Sequence, residues 1–156
     1  MEISSASLDD LLSAVAADRP APGAGAAAAV AVALGAACAS KALRISGRRS
    51  KDVQLTSIAD AAENLALQAA AGAQEHCEDF PDLLAAPHDP RAQRRVRADG
   101  EATLDLCQRL RAILDEYGDR VVADLAGDVA AAAHLIDAAE SIVTRNLAEL
   151  GSPGPL

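Results

Sequence analysis

Residues 20–46 read PAPGAGAAAAVAVALGAACASKALRIS, and from Ala21 to Ala39 no side chain carries a charge. A run of that length can span a bilayer. It is built mostly of Ala and Gly, however, which lack the insertion drive of Leu, Ile and Phe. The preceding MEISSASLDD is acidic and has no basic segment of the kind that opens a signal peptide. The stretch therefore reads as a small-residue helix packed inside a soluble, cytoplasmic protein, with no membrane contact. Pro20 and Pro22 stiffen its approach and Gly23 and Gly25 free its first turn. The leading N–H groups of a helix have no intrahelical partner, so Gly23-Ala24-Gly25-Ala26 is either an anion site or a tight packing turn.

Outward from this stretch the chain divides into five helices. Ser7 with Asp9 and Asp10 is an N-cap with carboxylates in the first turn, and Leu8, Leu11, Leu12 and Val15 follow at helical spacing. The second helix is predicted to run to about Ile45, before a turn at Gly47. The third, roughly 52–78, carries a seam at spacings of three and four that ends Leu65, Ala69, Gly72, His76, and Phe80-Pro81 with Pro87 predicts a loop. Asp89 with Pro90 starts the fourth helix, whose seam includes Val96, Gly100, Thr103 and Cys107 and which Gly118 ends. The fifth, about 121–150, carries Leu125, Asp128, Ala132, Leu135, Ala139, Ile142 and Asn146; Gly151 closes it and 152–156 reads as a disordered tail. Such seams on consecutive long helices with short loops predict an all-α antiparallel bundle, one domain over 1–151. A second helix apolar nearly all round needs neighbours on every side, which predicts a homodimer with that helix near the interface.

Composition narrows the chemistry. With one Tyr, one Phe and no Trp in 156 residues, the core must be built from Ala, Leu, Val and Ile. A net charge of −9 argues against nucleic acid as a partner. Cys38, Cys77 and Cys107 form no CxxC pair and read as small apolar residues. His134 and Asp137 lie one turn apart without a recurring Glu-x-x-His pair, so no metal site is predicted. Gly23-x-Gly25-x-x-Ala28 fits a relaxed dinucleotide fingerprint, but a helix and two prolines precede it where a strand is required.

The quoted stretch resembles the cyclodeaminase/cyclohydrolase family, whose members carry a short helix, then Pro-x-Pro-Gly-Gly-Gly-Ser, then a long Ala-rich helix. The likeness continues through the basic Arg48, Arg49 and Lys51, through Phe80, through Arg91 eleven residues before Ala102-Thr103, and through Gly127-Asp128-Val129-Ala130 and Asn146. It implies an all-helical dimer with folate-binding clefts near the subunit interface. The implied chemistry removes ammonia from formiminotetrahydrofolate or reversibly hydrolyses methenyltetrahydrofolate, with a proton shuttle and without a required cofactor. A tetrahydrofolate derivative is then the small-molecule substrate. The sequence departs from the pattern at Ala24 and Ala26, in place of the middle glycine and the serine, and at His76, in place of an acidic residue.

The resemblance makes His76 a candidate acid/base in place of that carboxylate; by its spacing alone it is a seam histidine. Asp128, a carboxylate on an apolar seam, is either a proton shuttle or part of a helix start. It stands about 27 Å from Asn146 along one continuous helix, so the two cannot serve one site within a protomer. Lys41 interrupts an apolar helix, either to reach the surface or to place an ammonium at the cleft. Arg48, Arg49 and Arg91 are candidate substrate anchors or surface charges. The expected function is attack on a C=N centre of a folate one-carbon derivative, or ring opening or closing in a biosynthetic pathway by a repurposed relative. The alternative is a non-catalytic helical dimer that binds a metabolite or protein.

Overall fold

The computed structural model describes residues 3–150, Ser4 through its backbone alone. Five α-helices carry it: α1 (Leu8–Val15), α2 (Ala24–Ser50), α3 (Val53–Ala85), α4 (Pro90–Tyr117) and α5 (Ala126–Leu150). Short 3-10 turns lie at Ile3–Ser5, Gly118–Arg120 and Ala123–Leu125, and no strand occurs among the described residues. Helix α2 packs on α3 and α5, and α4 completes the ring against the same two helices. Ser7 caps α1 in a reciprocal box with Asp10, Asp52 caps α3 through the N–H groups of Gln54 and Leu55, and Asp89 caps α4 ahead of Pro90. The predicted closing Gly151 and the tail 152–156 lie outside the described residues.

The core explains the Ala-rich composition. Ala28, Val32, Ala36, Ala39 and Leu43 of α2 are buried against Leu55, Ala62 and Leu65 of α3 and Ala132, Ile136 and Ala139 of α5. Side chains this small let the helix axes approach closely. A Cβ on Gly35 would stand 3.2 Å from the Ala132 carbonyl oxygen, so α2 and α5 touch nearly backbone to backbone. The most apolar 18-residue window of α2 has a mean hydropathy of 1.7, long and apolar enough to cross a membrane, yet 56% of that window is buried inside the bundle. The predicted internal helix is thus observed.

Three boundaries differ from expectation. Helix α2 continues past Gly47 to Ser50, and Lys51 takes the left-handed capping conformation at φ 57°. Gly47 instead packs under the next helix, where a Cβ would stand 2.8 Å from the Thr56 hydroxyl. Helix α3 runs through Pro81 to Ala85, although proline removes an interior hydrogen bond. Tertiary packing holds that turn: Leu83 is buried with Ala92 and Val96, and Arg95 grips Asp79 and Asp82 on either side of the proline at 2.7 Å each. Helix α5 begins at Ala126, five residues later than predicted from about Val121. The backbone N–H of Val122 donates to the Ser46 hydroxyl at 3.0 Å, which diverts the chain into 3-10 turns before the helix can start.

Candidate functional site

Where the four long helices converge, a narrow slot is lined by Gly25 of α2, His76 of α3, Asp99, Gly100 and Thr103 of α4, and Asn146 of α5, with Val96, Val143, Leu147 and Leu150 as its apolar walls. Its open volume is about 20 Å³, the room that one water molecule takes. His76 is buried at its centre. The imidazole stacks on Phe80, ring centres 5.4 Å apart, and reaches the first turn of α2 through Nε2. A Cβ on Gly25 would overlap Nε2 and lie 2.5 Å from Cε1 and 2.9 Å from Cδ2. Glycine at this position is therefore required by the imidazole. Gly23, the N-cap, has no side chain with which to cap the helix start.

The other ring nitrogen, Nδ1, lies 3.8 Å from Oδ2 of Asp99, beyond hydrogen-bonding distance but within ionic reach. That oxygen is fully buried and has no hydrogen-bond partner among the described residues. Burial pushes the Asp99 carboxyl up to about 6, with Asp79 and Glu75 adding to the shift and Arg95 opposing it. Burial lowers His76 below its ordinary value, against an opposing pull from Asp79. Two groups that normally titrate more than two units apart thereby approach the same range, the condition for exchanging a proton.

The structure brings only some of the sequence candidates here. His76, Gly25 and Asn146 meet in the slot. Ala26, one residue beyond Gly25, is buried and lines an apolar groove beside α1 instead, while Ala24 is exposed. Lys41 and Asp128 pair with each other at 3.0 Å on an exposed face, with the Lys41 side chain 58% accessible, and neither lines the slot. Asp128 sits in the first turn of α5, where a carboxylate favours the helix dipole. Arg49 binds both carboxylate oxygens of Asp124, and Arg48 and Arg91 are exposed. Asp99 escaped the sequence reading, although it lies three residues after Val96 and four before Thr103, beside the α4 seam. A carboxylate at such a position was the available signal.

The chain matches the family described as formiminotransferase-cyclodeaminase over residues 7–148. No curated protein matches it. Among solved structures it resembles formiminotetrahydrofolate cyclodeaminase from Thermotoga maritima, with a TM-score of 0.87 at 22% identity, over 96% of this chain and 80% of that one. At that identity the likeness is one of fold, while the family match spans almost the whole described chain. The chain belongs to the formiminotransferase-cyclodeaminase family.

Proposed function

We propose that the protein is an enzyme acting at a C=N centre of a tetrahydrofolate one-carbon derivative, with His76 as its proton carrier. The observation that carries this reading is the buried imidazole held between the first turn of α2 and a carboxyl whose proton affinity is raised. Ring closure with loss of ammonia needs a base to take the proton from the attacking nitrogen and an acid to return it to the departing one. A histidine, which binds a proton on one ring nitrogen and can release it again, does both in turn. The bond formed joins the ring-closing nitrogen to the formimino carbon, and the bond broken releases the terminal nitrogen as ammonia. Hydrolysis of a methenyl bridge uses the same group to deprotonate one water, for which the slot has room. The substrate is larger than the slot, so it lies across the slot's mouth with only its reacting centre beside His76. Gly23 and Gly25, with the backbone N–H groups of the first turn, then face its anionic portion.

The test is direct. The purified protein should convert 5-formiminotetrahydrofolate with stoichiometric ammonia, or hydrolyse 5,10-methenyltetrahydrofolate, followed by the methenyl absorbance. Inertness toward both would remove the folate reading.

The same reading includes a homodimer. An almost wholly apolar groove of about 440 Å³ runs between α1 and the first half of α2, walled by Leu8, Leu12, Val15, Val30 and Leu34. Leu8 is 69% and Leu34 56% exposed. Contiguous apolar surface of this kind marks an interface, and a two-fold axis would let the projecting leucines of one copy fill the groove of the other. Light scattering should give a dimer at micromolar concentration and a monomer for Leu34→Glu, with helix content unchanged. A monomeric parent would remove the interface.

A further inference from the structure

We propose that Asp99 is the proton partner of His76, sharing one proton with it across the slot and exchanging that proton with water through a groove over Gly72. The inference deepens the proposed function, because it takes His76 as the group that carries the proton, but its physical content is measurable without turnover.

A buried carboxylate without a partner is costly to keep ionised. Two arrangements avoid that cost here. In one, Asp99 is protonated beside a neutral imidazole; in the other, the carboxylate faces an imidazolium. Both have zero net charge, and they differ by one proton moved between Nδ1 and Oδ2, atoms 3.8 Å apart. Burial drives the carboxyl up to about 6 and the imidazole down, which brings the two arrangements close in energy. The ionisable groups facing the pair come from α3, as Glu75 and Asp79, and from α4, as Arg95. The slot residues supplied by α2 and α5, Gly25 and Asn146 among them, do not ionise.

Asp99 also lines a second space. A groove of about 330 Å³ between α3 and α4 is walled by Gln68, Gly72, Glu75, Asp99, Thr103 and Arg109, with Asp105 at its edge. A Cβ on Gly72 would meet nothing within 4 Å, so the missing side chain leaves the groove open. Asp99 and Thr103 are common to the slot and the groove, and Asp99 is the only one of the two that ionises. A proton leaving His76 thus has a carboxyl to receive it and a wet face from which to depart.

The experiment is an NMR titration of the whole protein, following the ¹⁵N shifts of the His76 ring and the ¹³C shift of the Asp99 carboxyl. Coupled groups share their inflections, so both nuclei should report the same two steps. In Asp99→Asn the His76 transition should become a single step and move to lower pH by about one unit, because the carboxylate that favours the imidazolium is gone. A carboxyl whose folded value is raised stabilises the fold below its unfolded value and loses that contribution as pH rises through about 6. Asp99→Asn should therefore melt above the parent at pH 8, and the gain should vanish below pH ~4. A purely structural aspartate would lower the melting temperature at both. Gly72→Leu, which has space to fold, should slow exchange of the His76 ring N–H with water several-fold.

Independent inflections in the parent, with an unmoved His76 titration in Asp99→Asn, overturn the couple. Parental exchange in Gly72→Leu overturns the groove as its port. Shared inflections together with full turnover in His76→Gln would leave the couple standing and remove the proposed reaction instead.

Discussion

Gly25→Ala is expected to abolish most activity while leaving a folded, helical protein. In an ordinary helix this change is stabilising by about 1 kcal/mol, since alanine loses less backbone freedom on folding. Here the new methyl would overlap Nε2 of His76 and crowd Cε1 at 2.5 Å, so the imidazole must leave its place. The ring is confined by Phe80 on one side and Asp99 beyond Nδ1, and overpacking such a site costs about 1–3 kcal/mol. The two terms nearly offset, so the net loss is about 0–2 kcal/mol, or a fall in melting temperature of no more than about 8 °C for a chain of this size. A displacement of the proton carrier by about 1 Å can reduce the rate about a hundredfold. Turnover normalised to the folded fraction, beside a calorimetric melt, separates the two effects. A variant with parental activity would show that the contact between Gly25 and His76 is only packing. From sequence the turn reads as either an anion site or a tight packing turn; the structure gives glycine a stricter reason, because even one methyl group collides with His76.

The fold was legible because its signals are local and repeat along the chain. Caps at Ser7 and Asp89 satisfy the helix starts they precede, and seams at spacings of three and four place the same residues inside that the structure buries, such as Leu65, Ala69, Thr103 and Cys107. The misplaced boundaries all lie where tertiary contacts override local preference. Pro81 reads as a helix breaker, and only the burial of Leu83 with the two-sided grip of Arg95 keeps its turn helical. The site was half legible for the same reason. His76 and Asn146 stand on seams that periodicity reveals, Gly25 belongs to a recognisable turn, and Gly100 and Thr103 stand on the α4 seam, so each of the four helices announced part of its contribution. Asp99 belongs to the fourth. It lies three residues after Val96 and four before Thr103, a spacing that allows burial, but its neighbour Gly100 fits the same seam and periodicity alone does not choose between them. Asp128 shows the converse: it stands on a seam, yet the late start of α5 puts it in a first turn, where Lys41 reaches it.

His76→Gln carries the largest expected consequence for the proposed reaction. Glutamine keeps comparable bulk and hydrogen-bonding capacity but exchanges no proton near neutral pH. Turnover should fall by about a hundredfold or more, the usual contribution of a positioned acid/base, with substrate affinity largely retained. Parental activity should rise with pH through the His76 transition, since the neutral imidazole is the base, and that limb lies below the ordinary histidine range because burial holds the ring neutral. The Gln variant should lose the limb altogether. Stability gives an independent check on the same group. A histidine whose folded value is lowered weakens the fold as pH falls below about 6.5, where the unfolded chain takes up the proton first. Removing it should make the melting temperature less sensitive to acid over that window. Two outcomes separate catalysis from packing: a lowered melt with full specific activity marks a core histidine, and an unchanged melt with lost activity marks the proton carrier. A fully active variant that keeps the parental pH profile would remove His76 from the mechanism.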